Sequence, residues 1–594
     1  MIRPLAIILI CGVFACAQQA PPNDSQKFTV IVTGTFVPMP LEDVNRSVEV
    51  HEIGHERTLY GSFADVLKDD ASIDLRQRGP DDVQGDLSIR GGTFAQTLVL
   101  LNGLRLNDVQ SSHHNLDLPL PVEAMSEVQI LHGSGSTEYG SDAVTGVVNI
   151  IARPESPEVR IRAAVGNFGV NQESIVAAGG TKRLDGALFV ARDFSSGFRP
   201  DRDYRNLFET AIAHGTTQLG STDVLLSMSD RPFGADQYYG NFDSWERTKG
   251  WFASARQEMG ANTEADFAYR RHTDLFVLFR DQPQIFTNRH VIESWEGDLR
   301  RKEDFHGAGR VFYGIETYAD TIDSNNLGRH ARIREAGYAA YEAVWRKRFS
   351  FSAGVRDEIY GSFNNEVSPT VAAGVWISEK WKLRASAGRA FRLPTYTDLY
   401  YHDPANVGSP NLRPESAWNF EGGAEWRPAA RVRAELTVFE RQDRDLIDYV
   451  RYSANDIYRA TNFQRLSFTG VEAAAHLRAG RAQTVSIGYT GLAGDRAAPA
   501  GVISKYVFNY PVHSGVVSWQ GALGRVVAAR TRIGVIERYG SGAYAIWDAS
   551  AVRASGRIRP FLQVTNLTGT VYQEIPGVVM PKRGVIGGVE WKLW

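Results

Sequence analysis

The sequence predicts an all-β transmembrane barrel of about 22 antiparallel strands with an N-terminal α+β plug domain inside its lumen. Three observations predict it. Residues 154–594 keep a two-residue period, as in RVRAELTVFE (431–440), where aliphatic and polar side chains alternate. Residues 37–153 instead mix helical and strand patterns. The length of the periodic region provides for about 22 strands, at about 20 residues for each strand with its turn.

Composition excludes several other classes of protein. The chain has 594 residues, a formal net charge of −3 and a pI near 6.5. It therefore lacks the excess of basic residues that is typical of nucleic-acid-binding proteins. No stretch beyond the N-terminus is long and apolar enough for a membrane helix. A soluble β-propeller is the alternative, but the sequence shows no repeat of blade length.

The first residues read as a secretory signal peptide, residues 1–17. Arg3 supplies the positive charge, and an apolar run too short to span a bilayer ends in Ala-Cys-Ala. Cleavage there removes Cys11 and Cys16, the two cysteines of the chain. The alternative is that Cys16 becomes a lipidated first residue.

Residues 18–36 follow as a polar, flexible lead that contains one strand-forming segment, KFTVIVTGT (27–35). The plug domain is assigned to residues 37–153. Its predicted elements are a helix within 59–70 with Ser62 as its cap, and strands at 86–92, 97–106, 127–133 and 146–153.

The glycine-rich stretch HGSGSTEYGSDAVTGVVNI (132–150) admits two interpretations. A phosphate-binding loop would have a lysine after its glycines and a helix beyond them, and this stretch has neither. The second interpretation is that the glycines allow tight turns where the plug packs against the barrel wall. The last strand ends at Trp594, as is typical of outer-membrane barrels, although Glu590 and Lys592 depart from the expected apolar alternation.

Several ordered motifs carry a family resemblance. The stretch at 127–150 is similar to E-x-I-x-V-x-R-G-P-x-S-x-x-Y-G-x-x-A-x-x-G-V-I-N-I, with His132 in place of arginine and Ser134 in place of proline. Further matches are LSIRGG (87–92), LVLLNGLRLND (98–108), with Asn102 in place of aspartate, FRLP…GSPNLRPE within 390–423, and NLTGTVY…PKRG within 565–594. The chain thus resembles the TonB-dependent outer-membrane receptors, and within them the cobalamin receptors of the BtuB type.

The resemblance implies a receptor rather than an enzyme. It implies active uptake of a scarce, large nutrient, with cobalamin or another corrinoid expected and a ferric siderophore or haem as the alternative. A passive porin is a third possibility. The energy would come from TonB and its ExbB/ExbD motor, which would act on a monomer in the outer membrane of a Gram-negative-type bacterium. The TonB box is placed at Phe28, Thr29, Val30, Ile31, Val32 and Thr33, where an extended segment can add a strand to a partner sheet. The alternative is that these residues are the first edge strand of the plug.

Two plug turns, 78–84 and 108–114, are the expected ligand contacts by analogy with the BtuB type. The candidate residues are Arg78, Asp81, Asp82, Gln84, Gln110, Ser111, Ser112, His113 and His114. The two histidines suit metal or haem coordination, or are ordinary solvated surface residues. No cofactor is required, but calcium is expected in the extracellular loops because carboxylates cluster there. Its candidate ligands are Asp201, Asp203, Asp236 and Asp243, which solvated loop charges would also explain.

Overall fold

A computed structural model describes residues 39–593 apart from six short gaps, at 154–156, 306–308, 362–363, 464, 481–482 and 496–500. The predicted signal peptide and the predicted TonB box lie outside the described residues, so both stay predictions. Among the described residues, no helix has the length and apolar character to cross a membrane.

The plug domain is a small α+β unit. Its elements are β1 (Val48–Glu52), α1 (Phe63–Leu67), β2 (Ile73–Gln77), β3 (Gly85–Ile89), β4 (Thr97–Leu101), β5 (Leu104–Arg105), β6 (Glu127–His132), α2 (Ser136–Tyr139) and β7 (Gly146–Ile151). Short 3-10 helices cover Gly54–Leu59, Phe94–Gln96, Ser112–His114 and Val122–Ala124. The sheet order is β1-β6-β7-β4-β5, with β4 parallel to β7, while β2 and β3 form a separate hairpin.

The central plug strands are nearly continuous apolar runs because both faces of the sheet are buried. On one face, Leu98, Leu131 and Val147 pack together. On the other face, Val99 and Val148 join the core that also contains α1. The strand expected at 97–106 is in fact two strands, since Asn102 takes a φ of 51° and starts a turn between β4 and β5.

The remaining elements form the barrel and its loops. In chain order they are β8 (Glu158–Gly166), β9 (Asn171–Gly180), β10 (Leu184–Ser195), β11 (Tyr204–Thr216), β12 (Ser221–Asp236), β13 (Asp243–Met259), β14 (Thr263–Val277), β15 (Thr287–Phe305), β16 (Gly309–Ser324), β17 (Gly328–Trp345), β18 (Phe349–Tyr360), β19 (Asn364–Trp376), β20 (Trp381–Arg392), α3 (Tyr396–Tyr400), β21 (Asn406–Val407), β22 (Glu415–Ala429), β23 (Val432–Arg444), β24 (Leu446–Arg451), β25 (Tyr458–Phe463), β26 (Leu466–Ala479), β27 (Gln483–Gly494), β28 (Ile503–Ser504), β29 (Pro511–Leu523), β30 (Val527–Arg538), β31 (Tyr544–Arg553), β32 (Ile558–Thr565), β33 (Gln573–Ile575), β34 (Val578–Val579) and β35 (Gly584–Lys592). A 3-10 turn covers Asn167–Gly169.

Twenty-two of these strands close into one antiparallel barrel, and the pairing of β35 with β8 completes it. The predicted fold class is therefore confirmed. The short strands β21, β24, β25, β28, β33 and β34 lie in loops at one end, which we call the loop end. Longer loops at one end and short turns at the other are typical of outer-membrane barrels, whose long loops face outward.

The alternation predicted for the barrel is seen in β23. Leu436 and Val438 are 50% and 53% exposed on the outer surface. Thr437, Phe439 and Arg441, between and beyond them, are buried in the lumen. The outer surface is thus apolar where lipid would contact it, and the lumen side carries the polar residues.

Glu590, which departs from the apolar alternation expected at the C-terminus, has a partner set in the lumen. Its carboxylate accepts hydrogen bonds from Arg559 at 2.7 Å and from Arg160 at 3.4 Å. The hydroxyl of Thr58 in the plug donates to it at 2.7 Å. The last strand, the first barrel strand and the plug therefore meet at one buried acid.

Charged pairs fasten the plug to the barrel wall. Arg90, just after β3, donates to Glu421 at 3.0 Å and to Glu472 at 2.8 Å. Other buried pairs lie around the lumen, and they are Asp69–Arg530, Asp74–Arg538, Asp108–Arg270 and Asp117–Arg231. A buried charge is costly unless it is paired, so these contacts favour one seating of the plug.

The glycine-rich stretch lies against the barrel wall, as its second interpretation predicted. Gly140 has a φ of 72° and a ψ of −146°, a conformation open essentially to glycine. A Cβ atom at this position would collide with the carboxylate of Glu358 and would approach Arg356 to 3.0 Å. The short helix α2 interrupts the stretch before β7, and the sequence pattern did not reveal it.

Candidate functional site

The first predicted plug turn, between β2 and β3, reaches the loop end of the barrel. Asp81 and Asp82 both take positive φ angles, 52° and 57°, and complete the turn. The Asp82 carboxylate accepts the N–H groups of Phe63 and Ala64 at 2.7 and 2.9 Å, and so it caps α1. Ser62 occupies the N-cap position, as predicted, but its side chain makes no capping hydrogen bond. Asp82 thus stabilises the plug fold.

The other predicted residues of this turn contact the barrel wall. Tyr204 donates its hydroxyl to Asp81 at 2.6 Å, and Tyr239 donates to Gln84 at 2.8 Å. The guanidinium of Arg78 lies 5.7 Å from the centre of the Tyr239 ring. Burial raises the pKa of Asp81 to about 6, although the hydrogen bond from Tyr204 opposes the shift.

His113, in the second predicted turn, is held by three neighbours. Its Nδ1 lies 2.7 Å from Asp86, and its ring stacks on Phe94 with centroids 4.2 Å apart. Burial lowers the pKa of His113, and the Asp86 carboxylate offsets part of that effect. In the tautomer with the proton on Nδ1, that nitrogen donates to Asp86. The lone pair of Nε2 then faces the hydroxyl of Tyr506, 3.3 Å away.

A cavity lies between this turn and the loops of the barrel. The plug contributes Phe94, Ser111, Ser112 and His113 to its wall. The loop end contributes Arg392, Thr395, Thr397, Asp398, Ile447, Asp448, Tyr449 and Tyr506. The wall combines aromatic rings with a few charged and polar groups, as is usual for small-molecule sites.

Backbone contacts hold the cavity together. The N–H of Tyr396 donates to the carbonyl of Val109 at 2.9 Å, and the N–H of Thr397 donates to that of Gln110 at the same distance. Helix α3, which carries both donors, begins at a capping box formed by Thr395. The long loop after β20 is thus attached to the second plug turn.

His114 points away from the cavity and into the plug–barrel interface. It is 5% exposed, and its Nδ1 lies 3.0 Å from Asp117. Its Nε2 lies 3.5 Å from Asp274 and 3.9 Å from Glu246 on the barrel wall. Gln110, another predicted residue, also donates to Asp274, at 2.8 Å. The adjacent histidines therefore lie in different environments, His113 at the cavity and His114 in the plug–barrel interface.

Two family models match most of the chain. The model described as TonB dependent receptor-like, beta-barrel matches residues 179–569, and the model described as TonB-dependent Receptor Plug Domain matches residues 40–147. The chain belongs to the TonB-dependent receptors. These are outer-membrane β-barrel receptors, not enzymes, and their name states a dependence on TonB.

Two curated relatives of the receptor carry the name Vitamin B12 transporter BtuB. The protein of Photobacterium profundum is 23% identical over 444 residues, which covers 71% of each chain. The protein of Vibrio vulnificus is 23% identical over 494 residues, which covers 78% of this chain and 77% of the relative.

Solved structures with the same fold carry different names. The siderophore receptor PirA from Acinetobacter baumannii superimposes with a TM-score of 0.75 at 13% identity, covering 93% of this chain and 99% of that one. The FrpB iron transporter from Neisseria meningitidis, F5-1 variant, gives a TM-score of 0.76 at 14% identity, covering 92% and 99%. At such low identity these likenesses show the fold alone.

The four aspartates predicted to bind calcium lie near one another at the loop end of the receptor. Asp201 accepts a hydrogen bond from Arg280 at 3.0 Å, and Asp203 is paired with the same guanidinium. Asp236 donates its N–H to the carbonyl of Asp201 at 3.1 Å and faces Asp243 across the β12–β13 ladder. A calcium ion would have to displace the arginine from two of these carboxylates, and calcium binding stays a prediction.

Asp86 joins the two predicted plug turns, although no sequence pattern singled it out. Its two carboxylate oxygens contact Arg78 at 3.1 Å and His113 at 2.7 Å. Phe94 and Tyr506, which stand against the His113 ring, were also missed. Tyr506 lies in SKYVFNY between two barrel strands, where its aromatic and basic neighbours were the available signal.

Proposed function

We propose that the receptor takes up cobalamin or a related corrinoid across the outer membrane of a Gram-negative-type bacterium. TonB, driven by its ExbB/ExbD motor, supplies the energy, and the receptor acts as a monomer. The observation that carries the corrinoid over other cargo is the similarity to two proteins named vitamin B12 transporters, which extends over 71% and 78% of the chain.

The cavity between the second plug turn and the barrel loops supports this proposal. Tyr449 and Tyr506 add aromatic rings to the wall beside the Phe94 ring on which His113 stacks, and this wall can contact the apolar surface of a ligand. His113 offers an imidazole whose orientation is fixed by Asp86, so its Nε2 can approach the metal of a chelate after Tyr506 moves. Both features suit a ligand that combines apolar surface with a metal ion.

A ferric siderophore or haem is the competing cargo. The named siderophore and iron receptors share the fold of the chain, and their identities of 13% and 14% carry no argument about the ligand. The passive porin fits worst, because a plug domain fills the lumen and is tied to its wall by charged pairs.

Equilibrium binding to the full mature receptor, folded in detergent, tests the proposal. Cyanocobalamin should bind with nanomolar affinity, and a ferric siderophore and haem should compete poorly. The titration is repeated with calcium and with a chelator, since a loss of affinity on chelation would support the predicted ligands Asp201 and Asp203. Absence of cobalamin binding at micromolar concentration, together with tight binding of either iron chelate, would overturn the corrinoid assignment and leave the family unchanged.

A further inference from the structure

A group of buried histidine and acidic side chains joins the plug to two barrel strands. We call it the His114 cluster, and its members are His114 and Asp117 of the plug, Glu246 of β13, and His272 and Asp274 of β14. The ligand atoms of His114, Glu246 and Asp274 lie within 4.8 Å of one another, as do those of His114, Asp117 and His272. None of these side chains is more than 5% exposed.

The first of these two sets is the one arranged for an ion. Both oxygens of Asp117 are engaged, because one accepts from Arg231 at 3.0 Å and the other contacts His114 and His272 at 3.0 and 3.3 Å. Asp274 accepts from Gln110 at 2.8 Å through Oδ2 alone, and its Oδ1 has no hydrogen-bond partner among the described residues. By accepting from Nδ1 of His114, Asp117 fixes the tautomer that leaves Nε2 available. A carboxylate behind the ligating imidazole is the usual support of a metal-bound histidine.

The distances within the first set suit a small cation. Nε2 of His114 lies 3.5 Å from Oδ2 of Asp274 and 3.9 Å from Oε1 of Glu246. Metal–ligand bonds of about 2.0–2.2 Å in a tetrahedral arrangement separate the ligand atoms by about 3.3–3.6 Å. The first distance lies within that range, the second is about 0.3 Å beyond it (3.9 against 3.6 Å), and the two carboxylate oxygens lie within 4.8 Å of each other.

Unpaired atoms at the same place are an independent sign of a missing ligand. Oδ1 of Asp274 is buried and has no hydrogen-bond partner among the described residues, and the same holds for Nδ1 of His290. His290 is 4% exposed and stands directly opposite Asp274 across the β14–β15 ladder. A buried carboxylate oxygen without a partner is costly, and a cation bound to Asp274 would compensate its charge.

We propose that His114, Glu246 and Asp274 bind one divalent first-row transition-metal ion, with Zn²⁺ as the expected occupant, and that this ion fastens the plug to the barrel wall. The donor set decides the class of ion, because one imidazole nitrogen and two carboxylates suit Zn²⁺, whereas Ca²⁺ takes six to eight oxygens. Three protein ligands leave a fourth position open. The ion is resident, and its binding does not depend on which cargo the receptor carries.

Metal binding to the detergent-folded, full mature receptor tests the proposal. After treatment with EDTA, calorimetric titration with Zn²⁺ should show one site per chain with submicromolar affinity, and elemental analysis should recover one ion per chain. His114→Gln should lose this site. Asp117→Asn, which removes only the support of the imidazole, should weaken Zn²⁺ affinity about 10–100-fold.

His214→Gln is the matched control. His214 also contacts an aspartate, Asp223 at 2.8 Å, but these side chains are 38% and 43% exposed on the barrel. This variant should bind Zn²⁺ as the unaltered receptor does. Equal Zn²⁺ binding by His114→Gln and by the unaltered receptor would overturn the proposal, and so would no stoichiometric binding at micromolar Zn²⁺, which would leave protons as the sole occupants of the cluster.

A spectroscopic measurement on the unaltered receptor covers the case in which a variant fails to fold. Co²⁺ added to the EDTA-treated receptor should give visible absorption bands of a four- or five-coordinate ion, and one equivalent of Zn²⁺ should remove them. Absence of these bands would contradict the site. Cobalamin binding is measured separately on the same preparations, so that a failure of the corrinoid proposal can be distinguished from a failure of the metal-site proposal.

Discussion

Three of the plug histidines, His113, His114 and His132, show how neighbours decide the role of a side chain. His113 reaches a cavity because Phe94 and Asp86 hold its ring at the plug surface. His114, one residue later, is buried among carboxylates. His132 replaces the arginine usual at its position and is buried beside an aspartate. The sequence indicated histidines in polar turns, but it could not separate these environments, since each depends on residues distant in the chain.

The ring of His113 should matter for ligand affinity and not for folding. We expect His113→Ala to weaken corrinoid binding about tenfold, because the substitution removes the stacked imidazole from the cavity wall. The melting temperature should change little. Equilibrium binding and thermal unfolding, measured on the same preparation, check both parts.

His513→Ala is the control for this prediction, because His513 contacts Tyr489 on the outside of the barrel at 2.8 Å. It should leave corrinoid affinity unchanged. If both histidine variants bind like the unaltered receptor, His113 makes no contact with the ligand.

The buried pair of His132 and Asp70 should make the plug sensitive to pH. Nε2 of His132 lies 2.9 Å from Asp70, and the neighbouring titratable groups include Glu472, Arg90 and His51. Burial lowers the pKa of His132, but the carboxylates of Asp70 and Glu472 outweigh it and raise that pKa. Burial alone would raise the pKa of Asp70, yet His132 holds it well below its usual range.

The sign of the pH effect follows from these directions. The raised pKa of His132 gives a stabilisation that is complete below about pH 6.5 and is lost as the pH rises through the folded value. The lowered pKa of Asp70 gives a second stabilisation, which is present above about pH 3.9 and is lost as the pH falls through the folded pKa of Asp70. Between these limits His132→Gln should cost about 3 kcal/mol. Hydrogen exchange of the β6 amides, corrected for intrinsic rates, measures this cost. A difference between variant and parent that does not shrink as the pH rises through the folded pKa of His132 would contradict the assignment.

At the scale of elements, the sequence pattern predicted a strand best where one face of the strand meets lipid and the other meets the lumen. Strand β23 shows this, because Leu436 and Val438 face outward and Thr437 faces the lumen, as the alternation required. Plug elements were harder. Strands β1 and β2 were missed, and the cap of α1 comes from Asp82, 18 residues beyond Ala64. A capping contact between distant segments leaves no local signature.

Arg90 should be the strongest single attachment between plug and wall. Arg90→Ala leaves Glu472 with only His132, whose Nδ1 lies 3.9 Å away, while Arg384 still lies 3.4 Å from Glu421. We expect a loss of about 3 kcal/mol in the free energy of seating the plug. Planar-bilayer recordings should show more frequent open-channel events than in the unaltered receptor.

The control for the Arg90 variant is Arg192→Ala. Arg192 pairs with Glu173 at 3.0 Å, and these two side chains are 42% and 47% exposed, so the pair contributes little. Its conductance should match that of the parent. Equal conductance in both variants would show that the plug is held by other contacts.

The turn at Gly140 should tolerate no side chain. Gly140→Ala combines a backbone conformation that costs about 1–3 kcal/mol with a collision against Glu358. Gly260→Ala is the comparison, since Gly260 has a φ of 66° but open space around it. In thermal unfolding, the melting temperature of Gly140→Ala should be lower than that of Gly260→Ala. The reverse order would contradict the close approach of plug and wall.

For the whole molecule, length and period were sufficient for the barrel. The 22 strands follow from the extent of the two-residue period, and a barrel of that width leaves a lumen that the plug domain fills. The plug turns at the loop end were found through the family resemblance rather than through physics. The aromatic wall at Tyr449 and Tyr506 was not found, because loop residues converge only after the barrel closes.

Deleting residues 27–35 should separate ligand binding from transport. The deletion removes the predicted TonB box, so cobalamin uptake by cells should fall to background, because TonB can no longer add a strand to the receptor. Cobalamin binding to the purified protein should remain. An equal-length deletion of residues 18–26, which keeps the box, is the control and should retain uptake. Full uptake by the 27–35 variant would place the TonB contact elsewhere.

The polar character of the plug–wall contacts has a mechanical consequence. Apolar surfaces that separate expose their whole area to water at once, whereas an ion pair that opens can exchange its partner for water molecules one bond at a time. The pairs of Arg90, Asp69 and Asp74 with the wall are of this second kind. We therefore expect a plug under tension to leave its seat in many small steps, as water replaces one ion-pair contact after another, and not in a single rupture. Once the tension is released, the plug should return by the same steps.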